Sequence, residues 1–179
     1  MRGGMEMKSS YVIRARQFAH DIYPFICDCK TVEDYCTAVE NFNVAYHRSV
    51  RVACGQTRVA LITSDYVLKL DYGRKAKRFG GCVSEYRAYQ KVFNDGYAYL
   101  FAKINPVMVN EKVFYIMPRI NGIGYERNGY DDAFDVVTNE EQDYLWDNFR
   151  DLHYENYGWK NNRPVIVDYA YCTSNGSWR

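Results

Sequence analysis

Asp151, Asn156 and Asp168 are the residues whose types and spacing point most directly to chemistry in this 179-residue chain. Residues 150–156 read Arg-Asp-Leu-His-Tyr-Glu-Asn, and the run Val165-Ile166-Val167-Asp168-Tyr169-Ala170 follows. An acid, an amide five residues on and a second acid behind an apolar strand are what the handling of a Mg-nucleotide requires. Asp151 can orient or deprotonate an attacking hydroxyl. Asn156 and Asp168 offer the oxygen ligands that a hard cation such as Mg²⁺ takes. Tyr157–Trp159 and Val165–Val167 read as short strands, with the turn chemistry of Lys160-Asn161-Asn162-Arg163-Pro164 between them. That spacing predicts a hairpin that returns the chain and brings Asp168 out close to Asn156. His153 can steady the intervening loop or face a terminal phosphate, and a locally satisfied loop histidine is the commoner case.

The elements around these residues must position them. Thr138-Asn139-Glu140-Glu141 is a capping box that opens a helix through Phe149, packing Tyr144, Leu145, Trp146 and Phe149, and delivers the chain into Asp151. From Ser49 the pattern has period two, predicting strands at Ser49–Ala53, Arg58–Thr63 and Tyr66–Leu70, with turns at Gly55-Gln56 and Ser64-Asp65. Lys69 interrupts the apolar run of the third strand, so it either snorkels outward or points into a cleft. A basic, flexible connector (Arg74-Lys75-Ala76-Lys77-Arg78, then Gly80-Gly81) leads to a helix candidate from Ser84 to Phe93. Tyr86, Tyr89, Val92 and Phe93 form its apolar stripe, and Glu85 lies in its first turns, where a solvated acid is also favoured. Two further strands fit Ala98–Ile104 and Lys112–Met117, the second running into Pro118-Arg119-Ile120. The first 45 residues read as helical, with one helix up to Pro24 and a second opening at Thr31 with Tyr35, Ala38, Val39 and Phe42 on one face.

Composition narrows the class. Lys plus Arg number 23 against 22 for Asp plus Glu, a balance that argues against a nucleic-acid-binding protein. Hydrophobic residues make up 47%, enough for a globular core. No apolar run approaches a membrane span, and the polar start lacks a signal-peptide stretch, so a cytoplasmic protein with reduced thiols is expected. The six cysteines (27, 29, 36, 54, 82 and 172) do not form CxxC pairs, and His20, His47 and His153 do not complete a zinc set. The 18 tyrosines read as amphipathic cover for a small core.

Strand Lys69, helix Glu85, the link at 117–120, helix 139–149, Asp151 with Asn156, and then Asp168 follow an order that resembles the protein-kinase superfamily over about residues 48–170. The Asp-Leu-His form also looks like aminoglycoside and other small-molecule kinases of that fold. The resemblance implies an α+β protein with a small antiparallel-sheet N-lobe carrying one helix (48–120) and a reduced C-lobe (121–179). A helical extension (1–47) would precede them as a support or partner surface. It implies ATP and Mg²⁺ as cofactors and transfer of the γ-phosphate to a Ser, Thr or Tyr hydroxyl of a protein. Lys69 would hold the α- and β-phosphates and Glu85 would orient Lys69. Gly55, Met117 and Arg119 would lie along the nucleotide, Asp151 would act on the acceptor, and Asn156 and Asp168 would bind the metal. Departures from the pattern are a phosphate loop reduced to Cys54-Gly55-Gln56-Thr57-Arg58, Phe149 in place of the usual histidine, and Tyr169-Ala170 in place of Phe-Gly. Eleven residues follow Asp168 here, so the expectation is a kinase-like chain without an activation segment or a large helical base. In style the chain looks like compact kinases of bacterial effectors and phages, whose acceptor would be a host-cell protein in the host cytoplasm. Two alternatives stand beside turnover on a protein: a pseudokinase acting as a protein-binding module, and a small-molecule kinase.

Overall fold

The computed structural model describes residues 9–55, 57–73, 81–122, 136–149, 152, 156–161 and 163–169. The architecture is mixed α+β, with four α-helices and two antiparallel sheets among the described residues. Contacts divide the chain into two compact units. One runs to Cys82 and includes Ile104–Arg119; the other comprises Val83–Lys103 and the chain from Ile120 onward.

The first unit is a five-stranded sheet covered by two helices. Helices α1 (Ser9–Ile26) and α2 (Val32–Tyr46) precede strands β1 (Arg51–Cys54), β2 (Arg58–Ile62), β3 (Tyr66–Asp71), β4 (Asn105–Val109) and β5 (Lys112–Pro118). The strand order is β1-β2-β3-β5-β4, with every neighbour antiparallel. Helix α1 buries Ala15, Phe18, Ala19, Ile22 and Ile26, and α2 buries Tyr35, Ala38, Val39 and Phe42, each a stripe at helical spacing. These stripes meet one face of the sheet: Val59, Leu61, Tyr66, Leu68, Leu70, Val107, Val109, Phe114 and Ile116 share their core. Phe18 packs edge-on against both Phe42 and Tyr66, at 5.6 and 5.8 Å between ring centres. Thr31 and Asp34 form the expected capping box of α2. At its far end the Asn43 amide side chain both donates to and accepts from the Val50 backbone, fixing the entry into β1.

Two details depart from the sequence pattern. Pro24 lies inside α1, which continues to Ile26; an exposed proline in a final turn removes one hydrogen bond without ending the helix. The strand expected at Ala98–Ile104 is instead a 3-10 turn at Ala98–Leu100 followed by a lone bridge at Phe101, and β4 begins at Asn105. Asn-Pro reads as a break, but β4 is an edge strand, where a proline that donates no ladder bond is tolerated.

The second unit holds α3 (Cys82–Asp95), the 3-10 turn, β6 (Asn121–Gly122), α4 (Asn139–Asn148), β7 (Tyr157–Lys160) and β8 (Arg163–Ile166), with β6-β7-β8 as a small sheet. The amide of Cys82, the first residue of α3, donates to Asp71 Oδ1 at 2.6 Å. Gly81 is required beside it: its φ is +99°, and a Cβ there would lie 2.1 Å from the same oxygen. The buried stripe of α3 is Glu85, Ala88 and Val92, while Phe93 is exposed and Tyr86 and Tyr89 are half-buried. Thr138 and Glu141 form the expected capping box of α4. Leu145 and Phe149 are buried as expected, but Trp146 is 66% exposed, because Glu141 and Leu145, one turn apart, take the inward face. No helix among the described residues is long and apolar enough to cross a membrane. Cys27, Cys29, Cys36, Cys54 and Cys82 carry free thiols; Cys172 lies outside the described residues.

Candidate active site

The hairpin carries the metal-ligand candidates. Strands β7 and β8 pair from Tyr157↔Ile166 to Lys160↔Arg163, and Asn161 enters the turn with φ 52°. One residue beyond the ladder, the Val167 amide donates to the Asn156 carbonyl at 2.8 Å. Asn156 therefore stands opposite Val167, and Asp168 is the next residue along. Asn156 is only 6% exposed, while Asp168 is half-buried at the strand exit. An amide oxygen and a carboxylate are each the kind of oxygen donor that a hard divalent cation takes. Among the described residues no three His, Cys, Asp or Glu side chains gather as a metal cluster. Asp151 and His153 lie outside the described residues.

A second layer of contacts holds this hairpin, and sequence reasoning missed it. The Ala102 amide donates to the Ile166 carbonyl at 2.8 Å, and the Tyr169 hydroxyl donates to the Ala102 carbonyl at 2.5 Å. The Tyr169 ring meets Phe101 edge-on at 5.1 Å, and Phe101 packs on Phe149 at 4.9 Å. At the other end of β8, Arg163 lies 3.6 Å from the buried Glu141 carboxylate and beneath the Tyr99 ring. Glu141 also accepts from the Tyr99 hydroxyl at 2.6 Å and the Thr138 amide at 2.8 Å. The capping box was visible in sequence as a helix start; its further use as an anchor for the hairpin was not, because Tyr99 and Arg163 are remote along the chain.

The Glu141 network has a consequence in acid. Burial pushes this carboxyl up, but the bonds from Tyr99 and Thr138 and the Arg163 charge outweigh it and leave it below the ordinary 4.5. A carboxyl depressed in the folded state adds stability above its unfolded value and loses it as the pH falls through the folded one. Denaturation of wild type and Glu141→Gln should therefore show the variant weaker by about 1–3 kcal/mol at neutral pH. The gap should close on acidification below the ordinary glutamate range. A gap that stays constant down to acid pH would show that the ionised carboxylate is not the stabilising form.

The remaining candidates divide between the units. Lys69 pairs with Ala60 on one side and Tyr115 on the other. Its neighbours Leu68 and Leu70 face the helices, so alternation turns Lys69 to the opposite face of the sheet. It is only 9% exposed there. The buried Met117, opposite Val67, shares that face by the same alternation from Phe114 and Ile116. Arg119 is exposed at the end of β5; its amide donates to the Asp65 carbonyl at 3.0 Å and its guanidinium to Thr63 at 3.1 Å. Gly55 lies in the β1–β2 turn, where its amide donates to the Arg58 carbonyl at 2.8 Å. Among the described residues, a Cβ at Gly55 would meet the Arg58 carbonyl oxygen at 3.8 Å, an ordinary contact distance.

Glu85, in the second unit, has no exposure at all. Desolvating one unpaired carboxylate costs several kcal/mol, more than the roughly 1.5–3 kcal/mol that burying a leucine in its place would supply. An acid persists on such a stripe only where it meets compensating polar groups. Sequence spacing treats Glu85 as a solvated first-turn acid equally well, so its burial is the informative observation.

No family model and no curated protein matches the chain. Among solved structures it is similar to the Legionella pneumophila Lpg2603 kinase bound to IP6, with 15% sequence identity and a TM-score of 0.47. The similarity covers 71% of this chain and spans half the length of that one.

Proposed function

We propose that the chain transfers the γ-phosphate of ATP, with Mg²⁺, to a hydroxyl of an acceptor protein. The observation that best supports this reading is the hairpin that sets Asn156 opposite Val167, next to Asp168. An amide oxygen and a carboxylate at adjoining ends of a strand pair are the kinds of oxygen donor that a hard cation takes. Bound there, Mg²⁺ would neutralise charge on the phosphates. Lys69, a cation on the sheet face away from α1 and α2, would hold the α- and β-phosphates. Glu85 would be the carboxylate that sets the lysine's position, and Asp151 would orient the acceptor hydroxyl. Transfer then depends on positioning and on fixed charge rather than on covalent work by the protein.

One observation favours a second reading, a pseudokinase that acts as a protein-binding module without turnover. The single glycine of the β1–β2 turn directs its amide to Arg58, which leaves that N–H committed within the turn rather than offered to phosphate.

Thermal denaturation with and without Mg-ATP tests the proposal. A ligand at a hundred times its Kd stabilises the folded state by about 2.7 kcal/mol, a rise of several degrees for a domain of this size. The expected result is such a rise, accompanied by radiolabel transfer from ATP to a protein in lysate. No shift at millimolar Mg-ATP would contradict the reading and favour the binding module; a shift without transfer would contradict turnover.

A further inference from the structure

We infer that the Tyr169 hydroxyl is a positioning latch for Asp168. The segment 166–169 is fastened on both sides. The Ile166 carbonyl accepts the Ala102 amide and the Val167 amide donates to Asn156, both at 2.8 Å. Beyond Asp168, the next residue returns to Ala102 through its side chain, with the hydroxyl donating to the Ala102 carbonyl at 2.5 Å. Both backbone groups of Ala102 are thus directed at this segment, one before Asp168 and one after it. Tyr169 is 2% exposed and Ala102 is buried, so the hydroxyl bond is shielded from competing water.

Position and chemistry separate the hydroxyl from its ring. The ring packs on Phe101 and lies 6.5 Å from that of Tyr89, a role that phenylalanine would fill equally well. The hydroxyl adds a directional tie that a phenyl ring lacks. Asp168 is the one residue between the two attachments to Ala102 whose side chain could ligate a metal. Held at three points, its backbone has one arrangement; released at Tyr169, it has more than one, and a ligand must select the competent fraction. Tyr169 touches neither metal nor nucleotide in this account, so it is a positioning residue. The inference rests on the phosphotransfer reading for the identity of the ligand, a divalent cation with a nucleoside triphosphate.

The test replaces Tyr169 by Phe and measures Mn²⁺ binding by electron paramagnetic resonance at saturating ATP, together with melting temperature. Tyr144→Phe is the control, because it also removes one hydroxyl, bonded to Asp95 at 2.7 Å, at a place with no assigned role at the metal. The expected result is that Tyr169→Phe needs about tenfold more Mn²⁺ for half-saturation, the equivalent of one shielded hydrogen bond. At the measuring temperature the variant should remain folded, and the control should bind as wild type does. Amide exchange at Val167 should quicken in Tyr169→Phe alone. Unchanged Mn²⁺ affinity in Tyr169→Phe, with wild type binding normally, would overturn the latch and leave phosphotransfer standing. Equal weakening in Tyr144→Phe would also overturn it, by showing a general loss of stability. Absence of Mn²⁺–ATP binding in wild type would overturn the phosphotransfer reading and the latch with it.

Discussion

Asp168→Ala is expected to lower phosphate transfer by about 10²–10³-fold, the scale seen when one fixed electrostatic contact to a reacting centre is removed. It should abolish the magnesium-dependent part of the ATP-induced rise in melting temperature as well. Asp168 is the anionic member of the pair at the end of the β7–β8 hairpin, and the neutral Asn156 amide cannot replace its charge. The loss should appear in binding and turnover together. The variant should fold, because the carboxylate is half-buried at a strand exit whose neighbours are held by backbone bonds from Ala102 and to Asn156. Isothermal titration with Mg-ATP and ATP alone checks this. Equal affinity of wild type and variant for Mg-ATP would remove Asp168 from the metal.

Much of this arrangement is legible in the chain because it depends on local rules. Thr31 with Asp34 and Thr138 with Glu141 mark their helices through residues three apart, and both boxes form. The hairpin follows from two apolar runs around a turn rich in Asn, so the approach of Asn156 to Asp168 could be foreseen. Period two likewise gives β2 and β3 and places Lys69 against the apolar alternation. Where long-range packing decides, the sequence is silent. Trp146 lies outside although the helix pattern counts it among the packing residues, and spacing alone does not tell the buried Glu85 from a solvated first-turn acid, because the orientation of α3 and α4 is set by what they pack against. Ala102 has no side chain that could announce its contacts, since both are made by its backbone. The hydroxyl of Tyr169 was visible only as a departure from phenylalanine, and its partner lies 67 positions away.

Asp151→Ala is the second large effect and differs in kind. A group that orients or deprotonates an acceptor hydroxyl contributes typically 10²–10⁴-fold to rate. It has no ligand to the metal and no contact with the nucleotide in this account, so its removal should leave ground-state binding intact. Wild type, Asp151→Ala and Asp168→Ala should therefore separate into three classes: full binding with full transfer, full binding with slowed transfer, and weakened Mg-ATP binding with slowed transfer.

The most direct measurement is transfer of labelled phosphate by Asp151→Ala, read beside its Mg-ATP titration in the same preparation. The expected result is a titration superimposable on wild type and a transfer rate lower by at least about a hundredfold. Transfer at the wild-type rate, with binding unchanged, would contradict it by showing that Asp151 takes no part in moving the phosphate.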